Sequence, residues 1–288
     1  MVEYILGNYM VSKNKISKEQ LIDTINKQEQ VRVKLGLIAV SEGMITLEQA
    51  DEINRLQTMC DKRFGDIAIE KGYMTESQLD KVLKLQGNAY LVFVQALVDS
   101  GVLTLGEMEE ILEDFRKENG FGTTDIEALK SNEAERIVPL FITADTEKYQ
   151  DMIGVVVRAL IRCVDRQAYL GKAEIVDEID AGSFAVQQLE GEEGVLTAFV
   201  EEDGGMLRTA SVFGREEFSE INEDVLDAAA EFLNCVNGIY TASPSGKVKK
   251  LELTPPVYYE DGGLISGETV CRVPLWVQNK KMYFVIAE

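Results

Sequence analysis

The first 120 residues repeat themselves four times at a period of 29, and no other feature constrains the fold as tightly. Copies begin near Ile5, Lys34, Arg63 and Val92. Their tenth positions are Asn14, Gly43, Gly72 and Gly101, residue types that accept the left-handed backbone closing a short helix. Directly after come Ile16-Ser-Lys-Glu-Gln20, Ile45-Thr-Leu-Glu-Gln49, Met74-Thr-Glu-Ser-Gln78 and Leu103-Thr-Leu-Gly-Glu107. A Ser or Thr with Gln or Glu three residues later is a capping box, which opens a helix. Each copy therefore predicts a short helix, a left-handed turn and a longer helix. Two such helices bury little alone, so the stacking of four copies must supply the core. Position 24 reads Gln28, Gln57, Gln86 and then Phe115, so the last copy departs from the rest.

A glycine-rich break at Asn119-Gly-Phe-Gly-Thr-Thr124 ends the repeats. Residues 121–145 read as a connection, with helical stretches from Asp125 and Glu133 and a strand-like Phe141-Ile-Thr. A second domain is expected over 146–288. Its apolar runs alternate between Gly/Asn/Asp turns, which predicts antiparallel strands. The runs are Gly194-Val-Leu-Thr-Ala-Phe-Val and Met206-Leu-Arg-Thr-Ala-Ser-Val, joined at Glu202-Asp-Gly-Gly205, then residues 248–253 and Thr254-Pro-Pro-Val-Tyr. A turn at Glu260-Asp-Gly-Gly263 and a closing hairpin around Gln278-Asn-Lys-Lys281 follow.

Composition removes several classes of chemistry. The chain has no histidine, which excludes imidazole bases, His-dependent triads and His-ligated metals. Cys60, Cys163, Cys235 and Cys271 stand singly, without metal-ligand spacing or a disulfide framework. A net charge of −21 argues against nucleic acid as a partner. No apolar run reaches transmembrane length and the N-terminus lacks a basic flank, so a soluble cytoplasmic protein with no membrane partner is expected. Acidic pairs at Glu201-Glu-Asp203 and Glu260-Asp261 read as hairpin turns, not as calcium loops, and no metal site is expected.

The stretch Asp227-Ala-Ala-Ala-Glu231-Phe-Leu-Asn234-Cys-Val-Asn-Gly238 has a different character. On a helix, Asp227, Glu231, Asn234 and Gly238 share a stripe about 60° wide. Val225, Ala229, Phe232, Val236 and Ile239 take the opposite face, so the stripe is expected to face water. Asn and Gly are weaker helix formers than the alanines beside them, so helix stability does not choose them. A plain helix stop at Asn237-Gly238, with Glu231 and Asn234 as ordinary surface residues, is the alternative reading.

The spacing Asp-x-x-x-Glu-x-x-Asn-x-x-x-Gly resembles the active-site helix of the CheC/CheX/FliY family of chemotaxis phosphatases, and the resemblance extends over roughly Thr143–Glu288. It implies an α+β fold in which two long helices cover one face of an antiparallel sheet. Gln150–Arg166 is expected to be the second helix and lacks a Glu-x-x-Asn, which suggests the one-site CheX type. The implied substrate is the aspartyl phosphate of a response-regulator receiver domain. Asn234 would orient the attacking water, and Glu231 would pair with the receiver's active-site lysine. Asp227 and Gly238 would support them. The receiver would supply Mg²⁺, so no cofactor of the protein's own is implied. Strand edges would allow a homodimer, and a non-catalytic receiver-binding module is the alternative function.

Copies two and three of the repeat resemble the MshEN domain found on secretion and pilus ATPases. Lys34-Leu35-Gly36, Gly43 and Gln57 are followed by the spacer Thr58–Lys62, then Arg63-Phe64-Gly65, Gly72 and Gln86. The resemblance implies a cyclic di-GMP site on these residues and an effector role. Lys34 stands where the pattern has Arg, and Phe64 and Ala50 stand where it has Leu. The alternative is that Gly, Gln and Leu at these positions build the repeat and bind nothing.

Overall fold

The computed structural model describes residues 1–28, 31–60, 62–245 and 250–288. The chain divides into two compact units, Val2–Asn132 and Glu133–Glu288.

The first unit is all helical: α1 (Val2–Ser12), α2 (Lys18–Lys27), α3 (Leu35–Ser41), α4 (Leu47–Met59), α5 (Phe64–Glu70), α6 (Glu76–Lys84), α7 (Ala89–Asp99), α8 (Leu105–Asn119) and α9 (Thr123–Ser131). All four capping boxes form, on Ser17, Thr46, Thr75 and Thr104. Asn14, Gly43, Gly72 and Gly101 each adopt φ between 56° and 71°, the left-handed turn read from the sequence. The stacking order differs from the chain order. Copy two packs on copy three, while α1 and α2 of copy one pack against α7 of copy four. Helix α3 meets α7 as well, so copy four sits between copy one and the other pair. The cause lies in the helices. Both α1 and α7 are apolar nearly all round and bury most of their residues, whereas α2, α4, α6 and α8 are amphipathic and stay outside. The departure at position 24 is explained too: buried Phe115 packs edge-on against Tyr9 of copy one, centroids 5.0 Å apart.

The second unit begins with α10 (Ala134–Ile137) and 3₁₀ turns at Val138–Phe141 and Ala144–Tyr149, then α11 (Gln150–Cys163). Phe141–Thr143 is therefore not a strand; the Phe141 carbonyl accepts instead from Ala173 N. The remaining elements are β1 (Tyr169–Leu170), β2 (Glu174–Ala181), β3 (Phe184–Glu190), β4 (Val195–Glu201), α12 (Gly205–Gly214), α13 (Glu223–Ala242), β5 (Glu252–Leu253), β6 (Val257–Tyr259), β7 (Gly263–Val277) and β8 (Lys280–Ala287). The sheet is antiparallel throughout, in the order β1-β7-β8-β4-β3-β5, with β2 also on β7 and β6 also on β3. Strands β2 and β3 are not among the sequence expectations. Of the expected run 248–253 only Glu252–Leu253 pairs as a strand, and Val248 and Lys249 lie outside the described residues.

One expected strand is a helix. Met206–Val212 belongs to α12, because Met206, Thr209 and Ala210 bury at helical spacing. Glu202–Gly205 is accordingly not a hairpin turn. The Glu201 carboxylate folds back over the start of α12 and accepts from the main-chain N–H of Glu202 (2.8 Å), Gly204, Met206 (3.1 Å) and Leu207 (3.2 Å). The last two are donors a helix start leaves unpaired, and a carboxylate there also meets the positive end of the helix dipole. Gly205 is required by space, since a Cβ would lie 2.5 Å from the Lys281 carbonyl carbon on β8. Among the described residues the helical layer thus holds the shorter α12 beside the two expected long helices: α13 and α12 lie on the sheet, and α11 packs against both.

Both faces of the central strands β3, β4 and β8 are buried. Toward the helices, Phe199 stacks on Phe232 at 5.7 Å and tilts against Phe284 at 5.6 Å. On the other face Phe184, Val186, Ala198, Val200, Val285 and Ala287 pack with Ile179 and Ile265 from β2 and β7. Alternation along β3, β4 and β8 sends neighbouring residues to these two cores. Among the described residues no helix is long and apolar enough to cross a membrane.

Candidate functional site

Helix α13 carries the stripe. Its N-cap is Asn222, whose Oδ1 accepts from Val225 N at 3.0 Å, and Glu223 and Asp224 sit in the first turn where the helix dipole favours them. The helix continues through Asn237 and Gly238 to Ala242, so these two are interior residues and not a stop. Asp227 and Glu231 are exposed, and Asn234 and Gly238 are half-buried. Opposite, Val225, Ala229, Phe232 and Val236 are buried as expected, but Ile239 is 50% exposed. The reason is rotational. The buried arc also includes Leu226, Leu233, Asn237 and Tyr240, so its centre lies roughly 60° round the helix from Val225. That rotation strands Ile239 at one margin and brings Asn234 to the other, within reach of the sheet.

The contact at that margin is polar. Gln187 on β3 is 1% exposed, and its Nε2 donates to Asn234 Oδ1 and to the Thr254 carbonyl, both at 2.7 Å. Its Oε1 accepts from Nδ2 of the fully buried Asn237 at 2.7 Å, and the same Nδ2 donates to Thr197 Oγ1 at 2.8 Å. Thr197, opposite Gln187 on β4, donates its hydroxyl to the Gln187 carbonyl at 3.2 Å. A polar chain therefore runs from the strand pair through two amides to the carboxamide of Asn234. Asn237 Oδ1 is buried with no partner among the described residues, a defect worth about 1–3 kcal/mol. Sequence reading missed Gln187, Asn237 and Thr197. The one signal was Asn237, an amide on the apolar side of the helix.

The geometry also says what the stripe is not. Cys235 beside Asn234 is exposed, but partial burial, Glu231 and Cys163 push its thiol pKa up, away from the thiolate a nucleophile needs. Among the described residues no group of three Cys, Asp or Glu is arranged to hold a metal ion. Glu231 and Asn234 thus remain: an exposed carboxylate and, one turn on, a carboxamide fixed from below.

Several of the residues singled out on the repeats have structural employment. Gly36 lies under the Phe64 ring, which a Cβ would meet at 3.0 Å, and Gly65 lies against Leu79 at 2.6 Å. Ala50 Cβ borders the same position at 3.8 Å, so Phe64 and Ala50 both line the space over Gly36. Lys34 Nζ pairs with Asp99 at 2.8 Å and Lys34 N donates to buried Gln95. Leu35 is half-buried, and exposed Gln57 and Gln86 donate to the carbonyls of Lys62 and Val33. Arg63 is exposed at the N-cap of α5. In the spacer Thr58–Lys62, Asp61 lies outside the described residues.

No family model matches the chain, and no curated protein matches it. Among solved structures it is similar to the chemotaxis protein CheX of Desulfovibrio desulfuricans, with 16% identity, a TM-score of 0.43, and coverage of 49% of this chain and 98% of that one. It is similar also to a CheX–CheY–BeF3–Mg complex from Borrelia burgdorferi (17%, 0.40, 49% and 97%). A third is FliY of Thermotoga maritima (17%, 0.35, 49% and 86%). These neighbours are CheX- and CheC-like chemotaxis proteins, and they cover about half of this chain.

Proposed function

We propose that the Glu133–Glu288 unit hydrolyses the aspartyl phosphate of a response-regulator receiver domain, in the way its active-site spacing resembles CheX-type phosphatases. The observation that carries this reading is the carboxamide of Asn234. It is half-exposed on a helix face with Glu231, and buried Gln187 holds it from behind. An acyl phosphate is already activated, and a receiver brings the Mg²⁺ and the phosphoryl clamp, so the missing part is a positioned water. The water oxygen bonds to phosphorus as the phosphorus–oxygen bond to the aspartate breaks. The electron pair returns to the aspartate carboxylate, and the water proton ends on the released phosphate. Such chemistry needs an orienting amide and no histidine, which suits a chain that has none. Glu231, exposed one turn before Asn234, would meet the receiver's lysine and hold the register. The Val2–Asn132 unit would dock or regulate.

The test is phosphate release from a panel of phosphorylated receivers. Wild type is expected to accelerate at least one of them, and Glu231→Arg to raise KM for that receiver ~10-fold or more by placing like charges opposite each other. No acceleration on any receiver would sink the proposal. A parallel titration with cyclic di-GMP addresses the repeats. Because packing already employs Gly36 and Gly65, no saturable heat is expected up to high micromolar nucleotide. Low-micromolar binding would establish the effector role instead.

A further inference from the structure

We propose that Gln187 is a positioning residue for Asn234, and that two main-chain carbonyls dictate which end of the Asn234 carboxamide faces outward. The inference rests on the reading of Asn234 as the group that meets the attacking water. The carbonyl of Thr254 can only accept, so the Gln187 atom 2.7 Å from it is the nitrogen. That same nitrogen lies 2.7 Å from the Asn234 side chain, so the Asn234 atom facing inward is the oxygen. The Asn234 amino group is thereby turned outward, with no hydrogen bond to any described residue. At the other end, Thr197 commits its proton to the Gln187 carbonyl and so must accept from Asn237. Asn237 then has its nitrogen toward Gln187 Oε1, which fixes Gln187 a second time.

Each amide in the chain could be reversed in isolation, but not against these two carbonyls. Thr254 is itself tied down, its N–H and hydroxyl both donating to the Gln188 carbonyl on β3 at 3.1 and 3.0 Å. Asn237 Oδ1 finds no partner among the described residues, so the arrangement is not the one that pairs every buried polar atom. Apolar residues at 187 and 237 would remove that buried acceptor, at the cost of the donor that Gln187 gives to the Thr254 carbonyl and to Asn234. What the relay secures is direction: the outward N–H donates to one lone pair of the water oxygen and leaves the other free for phosphorus.

The test is Gln187→Met, which keeps side-chain length and loses every hydrogen bond, with Asn237→Ala as a milder second variant. Gln187→Met is expected to lower kcat for receiver dephosphorylation 10- to 100-fold with KM within 2-fold, while the thermal midpoint falls by a few degrees, because the Thr254 carbonyl and one Asn237 proton lose their partner. ¹⁵N relaxation of the Asn234 side-chain amide gives a readout independent of catalysis. It should report an ordered group in wild type and a mobile one in either variant. Unchanged kcat in Gln187→Met, with activity lost in Asn234→Ala, would overturn the positioning role and leave the phosphatase reading standing. If Asn234→Ala itself keeps full activity, that reading falls. The relaxation then decides the relay alone: an Asn234 amide equally ordered with and without Gln187 overturns it. Should Gln187→Met fail to fold, the same two measurements are read from Asn237→Ala, with a kcat loss of about 3-fold expected.

Discussion

Asn234→Ala is expected to slow receiver dephosphorylation at least ~100-fold, the scale on which a single misplaced or missing orienting group acts. Stability should barely change, because two terms offset each other. The variant loses one net hydrogen bond, about 1 kcal/mol, from Gln187. It gains roughly 0.5 kcal/mol of helix propensity, since alanine is the better residue inside α13. Gln187 Nε2 keeps its bond to the Thr254 carbonyl, so no donor is wholly stranded. Single-turnover phosphate release and a thermal melt on the same sample separate the two quantities. A fall in activity matched by a melt near wild type marks a chemical role. A variant of full activity would return the stripe to ordinary solvated surface.

Two residues earlier on the same helix, the opposite outcome is expected. Phe232 is 1% exposed, stacked on Phe199 at 5.7 Å and tilted against Phe213 of α12 at 5.1 Å. It therefore joins α13, α12 and the sheet at one point. Phe232→Ala should cost about 3–5 kcal/mol, transfer and cavity terms together. For a unit of this size that is roughly 10 °C in the melting midpoint, and a large part of an ordinary domain's total stability. Denaturant titration followed by far-UV circular dichroism measures it. A loss below about 1 kcal/mol would mean that the surrounding rings collapse into the space. Any activity lost in this variant would follow the unfolded fraction, unlike that of Asn234→Ala.

What could be read from the chain depended on whether neighbours in sequence settle it. The repeats were legible because capping boxes and left-handed turns are local: Ser17 needs only Gln20, and Gly43 needs only its own φ. Their order in space was not legible, since the pairing of copy one with copy four depends on two helices far apart in the chain. Helix α12 was misread as a strand for a similar reason. Seven residues fit either period loosely, and the deciding contacts, the Glu201 carboxylate and the Lys281 main chain under Gly205, come from other elements. The stripe on α13 was visible as a helical pattern, and its exposure follows from the apolar face behind it. Gln187 lay outside that pattern. Of the adjacent pair Gln187 and Gln188, nothing says which faces the helix until the register of β3 is known.

The placement of copy four has a consequence for how this chain is made. Helix α1 leaves the ribosome some 80 residues before α7, which at ordinary elongation rates is a wait of roughly 4 to 16 seconds. During it α1, apolar nearly all round, has no α7 to bury against. A linear array of repeats can consolidate each unit as it emerges. Here copy one, made before copies two to four, must wait for copy four to be completed, so it is the repeat most in need of a chaperone. Truncation follows the same logic: removing copy four takes away more than one end unit, because it also leaves copy one unpaired.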